Sequence, residues 1–214
     1  MKIYCVIPAF NEEKTIGKII AAALKHVDQV VVVDDASKDK TLSIAKDFGV
    51  EILPLGTNLG YQNAVLSGLK YAKNSGATYA VTFDADGQHK TEDLARIVDI
   101  CRKGKEDLIA GVRPRGARLA ERVFGFFGYV FFGMLDPLSG LKAYRCSTLT
   151  DRDFNTRSET VNTRICFRLS TEAFRVCQIN INVDERADSS RFGGILKANL
   201  RLFRALLIVA LIRC

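Results

Sequence analysis

The fold is decided by one stretch, Val81-Thr82-Phe83-Asp84-Ala85-Asp86-Gly87-Gln88-His89. An apolar, strand-like run ends in two carboxylates spaced i, i+2, followed by a glycine, an amide and an imidazole. In an open α/β sheet, ligands bind beyond the carboxyl ends of the strands. Carboxylates placed there hold a hard divalent cation through oxygen, and such a cation grips a diphosphate. The stretch therefore reads as a site for a diphosphate and its metal.

Two plainer readings compete. An acidic pair after a strand often serves only as a turn or a helix cap. As a calcium loop, Asp84, Asp86 and Gly87 fall at the third, fifth and sixth positions. Thr82 would then open the loop and Asp93 would close it, where Glu is required, and a strand rather than a helix precedes it. The calcium reading is rejected.

Working outward, strand and helix patterns alternate. Lys2–Ile7 is an apolar run ended by Pro8. Asn11 is placed to cap a helix with Glu12 and Glu13 in its first turn. Ile16, Ile19, Ile20 and Ala23 follow helical spacing. Val30–Val33 is a second strand that stops at Asp34-Asp35, and Val50–Leu55 a third. After the Asn58-Leu59-Gly60 turn, Ala64, Val65, Gly68, Leu69 and Ala72 form a helical stripe. Tyr79–Phe83 delivers Asp84. Thr91 is expected to cap a helix with Leu94, Ile97, Val98 and Cys101 inward, and Leu108–Val112 is the next strand. Such alternation predicts an α/β fold, Rossmann-like, with a mainly parallel sheet and helices on both faces. The strands are apolar throughout, as strands covered on both faces must be.

The 214 residues suit one domain with a substantial core. Apolar residues make up 48% and charged residues 26%, a globular composition. The net charge of +7 and pI near 9.1 favour an anionic partner. Nucleic acid is disfavoured, because acidic strand-end loops repel it. Cysteines 5, 101, 146, 166, 177 and 214 form no C-x-x-C pair, so a zinc site is not expected; Cys5 and Cys101 read as buried thiols in a reducing compartment. Met1-Lys2 leads straight into a strand, so no signal peptide is expected. No apolar run reaches the roughly 18 residues of a spanning helix.

The first strand is followed by Pro8-Ala9-Phe10-Asn11-Glu12-Glu13, not G-x-G-x-x-G, and there is no P-loop. The G-x-G-T-R loop of nucleotidyltransferases is missing too. Four motifs stand in order instead: Val6-Ile7-Pro8-Ala9-Phe10-Asn11-Glu12-Glu13, Val32-Val33-Asp34-Asp35-Ala36-Ser37-Lys38-Asp39, Asn58-Leu59-Gly60 with Ala64 and Gly68, and Asp84–His89. Together they resemble the inverting family 2 glycosyltransferases of the GT-A fold, most of all the branch of dolichyl-phosphate mannosyltransferase and other polyprenyl-phosphate sugar transferases. The resemblance is specific over residues 3–113 and thinner afterwards.

That resemblance implies roles. Pro8, Phe10, Glu12 and Asp35 line the base and ribose pocket of a GDP- or UDP-linked sugar. Asp34 either helps there or only shapes the turn. Asp84 faces the nucleotide sugar, Asp86 binds the metal, Gln88 is a further ligand, and His89 supports rather than ligates. Oxygen ligands suit Mg²⁺ or Mn²⁺, and a cation on the departing diphosphate stabilises the leaving group.

A hydroxyl acceptor needs a general base near the sugar. A phosphate acceptor is already anionic and needs cations instead. Arg113, Arg115, Arg118 and Arg122 lie within ten residues. The resemblance maps Arg113 to an acceptor-phosphate contact, with Arg122 the second candidate. Val123–Leu135 then runs thirteen residues without charge and holds five phenylalanines. It is either a core helix or an interfacial helix beside a lipid phosphate. Asp136-Pro137-Leu138-Ser139-Gly140-Leu141-Lys142 resembles the family's Asp…Ser-Gly-Phe-Arg segment, with Lys142 in the arginine's place as a phosphate contact and Asp136 the fallback base for a hydroxyl. No tryptophan is present, so the Q-x-x-R-W signature of processive synthases is absent.

Gln178-Ile179-Asn180-Ile181 departs from the family and receives no chemistry. Arg186 and Arg191 resemble a loop that closes over the diphosphate. Ile195–Ile212 reads as an amphipathic helix, giving a catalytic domain over 1–194 and a membrane-surface helix over 195–214. The expectation is a metal-dependent transferase at the cytoplasmic face of a membrane, with a lipid-linked phosphate acceptor. A hydroxyl acceptor on the same fold is the alternative, and a non-catalytic basic membrane-binding module the remote one.

Overall fold

The structure, a computed structural model, describes residues 1–114, 119–155 and 161–184. In chain order the elements are β1 (Ile3–Ala9), α1 (Ile16–Ala23), β2 (Gln29–Asp34), α2 (Thr41–Lys46), β3 (Glu51–Pro54), α3 (Tyr61–Asn74), β4 (Tyr79–Thr82), α4 (Thr91–Lys103), β5 (Leu108–Val112), α5 (Leu119–Phe132), β6 (Lys142–Arg145), α6 (Asp151–Phe154), α7 (Val161–Thr171) and β7 (Val176–Asn180). The strands form one sheet in the order β3-β2-β1-β4-β6-β5-β7. All pairs are parallel except those of β6, which runs antiparallel between β4 and β5.

Val30 to Val33 are all fully buried, because successive side chains enter opposite cores. Val6, Val31 and Val33 pack with Ala64, Val65 and Leu69 of α3 on one face. Cys5, Ile7, Val30 and Val32 pack with Ile16, Ile20, Leu94 and Ile97 of α1 and α4 on the other. Gly68 lets α3 lie close on the sheet: a Cβ there would stand 2.1 Å from Val6 Cγ1.

Several local expectations are corrected. Pro8 does not end β1, which continues to Ala9. The ladder with β4 stops at Val6, so Pro8 has a neighbouring strand on one side only, a place that tolerates a missing N–H. Asn11 caps no helix; Thr15 precedes α1, and Asn11 sits in the left-handed region at φ 54°. Lys90, not Thr91, is the cap position of α4. The four residues of β6 carried no strand pattern. Their pairing of Lys142 with Thr82 brings the 136–141 loop over the end of β4, where the Thr82 hydroxyl donates to the Gly140 carbonyl at 2.6 Å.

The tail over 195–214 and Arg115, Arg118, Arg186 and Arg191 lie outside the described residues, as does the side chain of Arg122. No helix among the described residues is long and apolar enough to cross a membrane. The five described cysteines are free thiols. Burial pushes Cys101 and Cys146 up to about 12.

Candidate active site

The parallel strands β1, β2 and β4 end on one edge, and the loops leaving them make the site. Two of these loops are zipped together by backbone donors. Asn11 N–H donates to Ser37 Oγ at 2.9 Å and Lys38 N–H to Asn11 Oδ1 at 2.8 Å. Glu12 N–H donates to Thr41 Oγ1 at 2.7 Å and Glu13 N–H to Asp39 Oδ2 at 3.1 Å. This clasp holds Asn11 and Ala36 at positive φ, a strain that persists only where surrounding bonds over-determine it. Pro8 is buried within β1, and Phe10 and Glu12 stand half-buried just beyond it.

The paired acids of β2 divide differently from the expectation. Asp35, expected in the base and ribose pocket, has each oxygen on a backbone donor: Leu59 N–H at 2.7 Å and Gly60 N–H at 2.9 Å. It builds the turn before α3. Asp34 is buried, with Oδ2 accepting a long 3.4 Å bond from Ser37 N–H. Its Oδ1 is buried with no hydrogen-bond partner among the described residues. An unmet buried acceptor of this kind is what a ligand hydroxyl or N–H satisfies.

Asp84 and Asp86 are half-buried at the end of β4. Tyr61 Oη donates to Asp84 Oδ1 at 2.7 Å, and His89 Nε2 lies 3.2 Å from Asp84 Oδ2. Burial pushes the Asp84 carboxyl up, but the bond from His89, the Tyr61 hydroxyl and the Arg113 charge outweigh it and hold it below the ordinary carboxylate range. His89 thus supports Asp84, while its Nδ1 is buried without a partner among the described residues. Gly140 closes the other side, since a Cβ there would stand 2.0 Å from Asp84 Oδ2. Sequence reading missed Tyr61 and Gly140, because a contact between separate loops leaves no local pattern.

Asp86 Oδ1 accepts Gln88 N–H at 3.1 Å. Gln88 Nε2 reaches the Asp184 carbonyl at 3.4 Å, and Asp184 N–H donates to the Gln88 carbonyl at 2.9 Å. The first of these leaves the amide oxygen as the acceptor end of Gln88. Asp86 and Gln88 form an all-oxygen set, and no cluster of three metal-ligating acids, histidines or cysteines exists among the described residues. Such a sparse set fits a cation that shares its coordination with a diphosphate and water, as Mg²⁺ does. Asp93, the last position of the rejected calcium loop, is instead buried between Arg96 Nη1 and Asn182 N–H, both at 2.8 Å.

The residues expected to meet the acceptor differ most from expectation. Lys142, expected to meet a phosphate, is fully buried. Its ammonium donates to the carbonyls of Pro137 and Ser139. Because β6 lies in mid-sheet, Lys142 braces the loop from below instead of facing a ligand. Arg113 is engaged as well: Nε donates to Asp136 Oδ2 at 2.7 Å and Nη2 to Oδ1 at 3.0 Å. Burial raises the Asp136 carboxyl, but this bidentate bond and the Arg113 charge bring it below its ordinary value. Gln178, given no chemistry, bridges Leu135 N–H at 2.7 Å and the Gly133 carbonyl at 2.8 Å.

Helix α5 is neither wholly core nor wholly exposed. Phe127 and Phe132 pack inward, with the Phe132 ring 3.9 Å from that of Phe167. Phe126, Tyr129, Val130, Phe131 and Leu135 face solvent, Phe126 with 70% of its surface exposed.

Comparison with known proteins bears on the family and the fold. The chain is 33% identical over 178 residues to the UDP-N-acetylglucosamine–dolichyl-phosphate N-acetylglucosaminyltransferase of Methanococcus voltae, spanning 69% of this chain and 70% of that protein. It is 27% identical over 220 residues to the undecaprenyl-phosphate mannosyltransferase of Micrococcus luteus, spanning 92% and 90%. Glucosyl-3-phosphoglycerate synthase of Mycobacterium tuberculosis, solved with Mn²⁺, UDP-glucose and glycerol 3-phosphate, shares the fold at a TM-score of 0.75 and 21% identity, covering 100% of this chain and 80% of its own. Residues 4–120 match the glycosyl transferase family 2 pattern, and the chain belongs to that family of glycosyltransferases.

Proposed function

We propose that this chain moves a sugar from a GDP- or UDP-linked donor to a lipid-linked, polyprenyl-type phosphate, with inversion and with Mg²⁺ or Mn²⁺ on the diphosphate. Asp86 and the Gln88 amide oxygen would hold the cation, which would supply charge neutralisation at the diphosphate. Pro8, Phe10, Glu12 and Asp34 line the base and ribose pocket, with Asp35 behind it. Asp84 meets the sugar. An acceptor oxygen attacks the anomeric carbon from the face opposite the diphosphate, so the new C–O bond forms as the old one breaks and the configuration inverts. Arg186 and Arg191, outside the described residues, are assigned to the diphosphate.

The observation that carries the acceptor reading is the pair Arg113–Asp136. Asp136, the fallback base that the family resemblance implies, is engaged through both oxygens and held below its ordinary pKa. That makes a poor base for a hydroxyl, whereas a phosphate needs none. Arg113, fixed in plane by Asp136 and about a third exposed, offers a guanidinium suited to phosphate. Arg122 is the second cation for it. The Methanococcus and Micrococcus relatives, both lipid-phosphate sugar transferases by name, support the same acceptor class. The exposed aromatic face of α5 supports work at a membrane surface.

The test is transfer of radiolabel from UDP-N-acetylglucosamine, UDP-glucose or GDP-mannose to polyprenyl phosphate in liposomes. Label in the organic phase, lost with EDTA, is the expected result. Label that reaches only glycans or lipid hydroxyls contradicts the acceptor assignment.

A further inference from the structure

The Tyr61 hydroxyl is unexplained by any motif in the sequence. Tyr61 opens α3 directly after Gly60, whose φ of 86° turns the chain into the helix. The turn is nailed down by Asp35 through Leu59 and Gly60 N–H. The phenol then reaches across to Asp84 Oδ1 at 2.7 Å. With His89 on Oδ2, the Asp84 carboxylate has a partner on each oxygen, and the Gly140 backbone walls off one side. Burial pushes the Tyr61 phenol well above its ordinary pKa; Asp84 and Asp86 push the same way and Arg113 opposes them. A protonated hydroxyl therefore sits among the two strand-end carboxylates and the acceptor-side arginine, and it is the donor in its bond to Asp84.

We infer that Tyr61 is a positioning residue: its hydroxyl fixes the Asp84 carboxylate to meet the sugar of the donor, leaving Asp86 to the diphosphate-bound cation. The inference rests on the donor reading proposed above. Two carboxylates spaced i, i+2 would otherwise both turn toward one cation, since unlike charges at about 4 Å attract strongly in a partly dry site. The Tyr61 bond sets their roles apart. It also makes Asp35 a remote support for Asp84, through the 59–60 turn.

Tyr61→Phe removes the hydroxyl and keeps the ring, which packs against the α3 side of the core. Calorimetric titration of wild type and variant with UDP, GDP, UDP-N-acetylglucosamine, UDP-glucose and GDP-mannose, each with Mn²⁺, reads the effect, together with thermal midpoints and kcat. The expected result is affinity for the bare nucleoside diphosphate within about twofold of wild type, about tenfold weaker binding of the sugar conjugate and a similar fall in kcat, which is the scale of one hydrogen bond to a charged group. The midpoint falls by no more than one lost hydrogen bond explains, a few degrees. Unchanged conjugate binding and kcat would overturn the inference. So would equal loss of diphosphate and conjugate, which marks a merely structural role. A wild type that binds none of the five overturns the donor reading and this inference with it.

Discussion

The two sides of the site treat their charges in opposite ways. At the open end of β4, Asp84 and Asp86 stand half-buried. Around β6 and the end of β5, Lys142 is fully buried under a loop and Arg113 is clamped by Asp136. Topology brings acids at the ends of parallel strands to one edge, although loop packing still buries Asp34 and Asp35 there. Cations on and beside an inserted antiparallel strand have no such guarantee. A positive residue in the sequence is therefore not yet a free positive charge.

The sharpest way to break this comparison is Asp86→Ala. Turnover should fall by about a thousandfold, the scale of several kcal/mol of leaving-group stabilisation, with the thermal midpoint unchanged. Retained metal-dependent turnover would take Asp86 out of the metal site. Lys142→Ala comes next. It leaves two carbonyls unmet and a cavity, so urea unfolding should register a loss of about 3 kcal/mol. A stable Lys142→Ala protein with only a raised acceptor KM would return Lys142 to the acceptor site and erase the contrast.

The glycines sharpen it further. Gly68→Ala forces a Cβ against Val6 and should cost about 2 kcal/mol, while folded protein keeps its nucleotide affinity. Gly140→Ala forces its Cβ against the Asp84 carboxylate and should lower sugar-conjugate binding more than stability; paired titration and melting separate the two. The smallest effect is on pH. Folded Asp136 titrates below its ordinary 3.8. The Arg113–Asp136 pair therefore contributes in full above that value and is lost as pH falls through the lower folded-state value. Asp136→Asn should flatten this acid limb, by about 1 kcal/mol, in melts taken between pH 6 and pH 2.5 (roughly the span over which such a carboxyl titrates).

The first half of the fold was legible because each βα unit repeats one pattern. Val30–Val33 and the stripe from Ala64 to Ala72 announce their own periods, and strand-end acids follow from where the runs stop. Pro8 and Asn11 were misread because tertiary bonds decided them: a one-sided ladder for Pro8, a clasp to Ser37 and Lys38 for Asn11. Lys142–Arg145 carries no apolar run, so β6 was invisible, and the fate of Lys142 with it. Asp84 and Asp86 stand out as candidates from their spacing and from the motifs around them. Tyr61 does not, because a phenol at the first turn of a helix looks the same whether or not a carboxylate lies across from it.

The measurement that bears most directly on the central claim is a thermal-shift screen of the wild-type chain with UDP, GDP and their sugars, each with Mn²⁺ or EDTA. A ligand at a hundred times its Kd adds about 2.7 kcal/mol to the folded state. A stabilising shift with one nucleotide, lost with EDTA, is the predicted result and names the donor. A folded protein that shifts with none of them contradicts the account of the strand-end site.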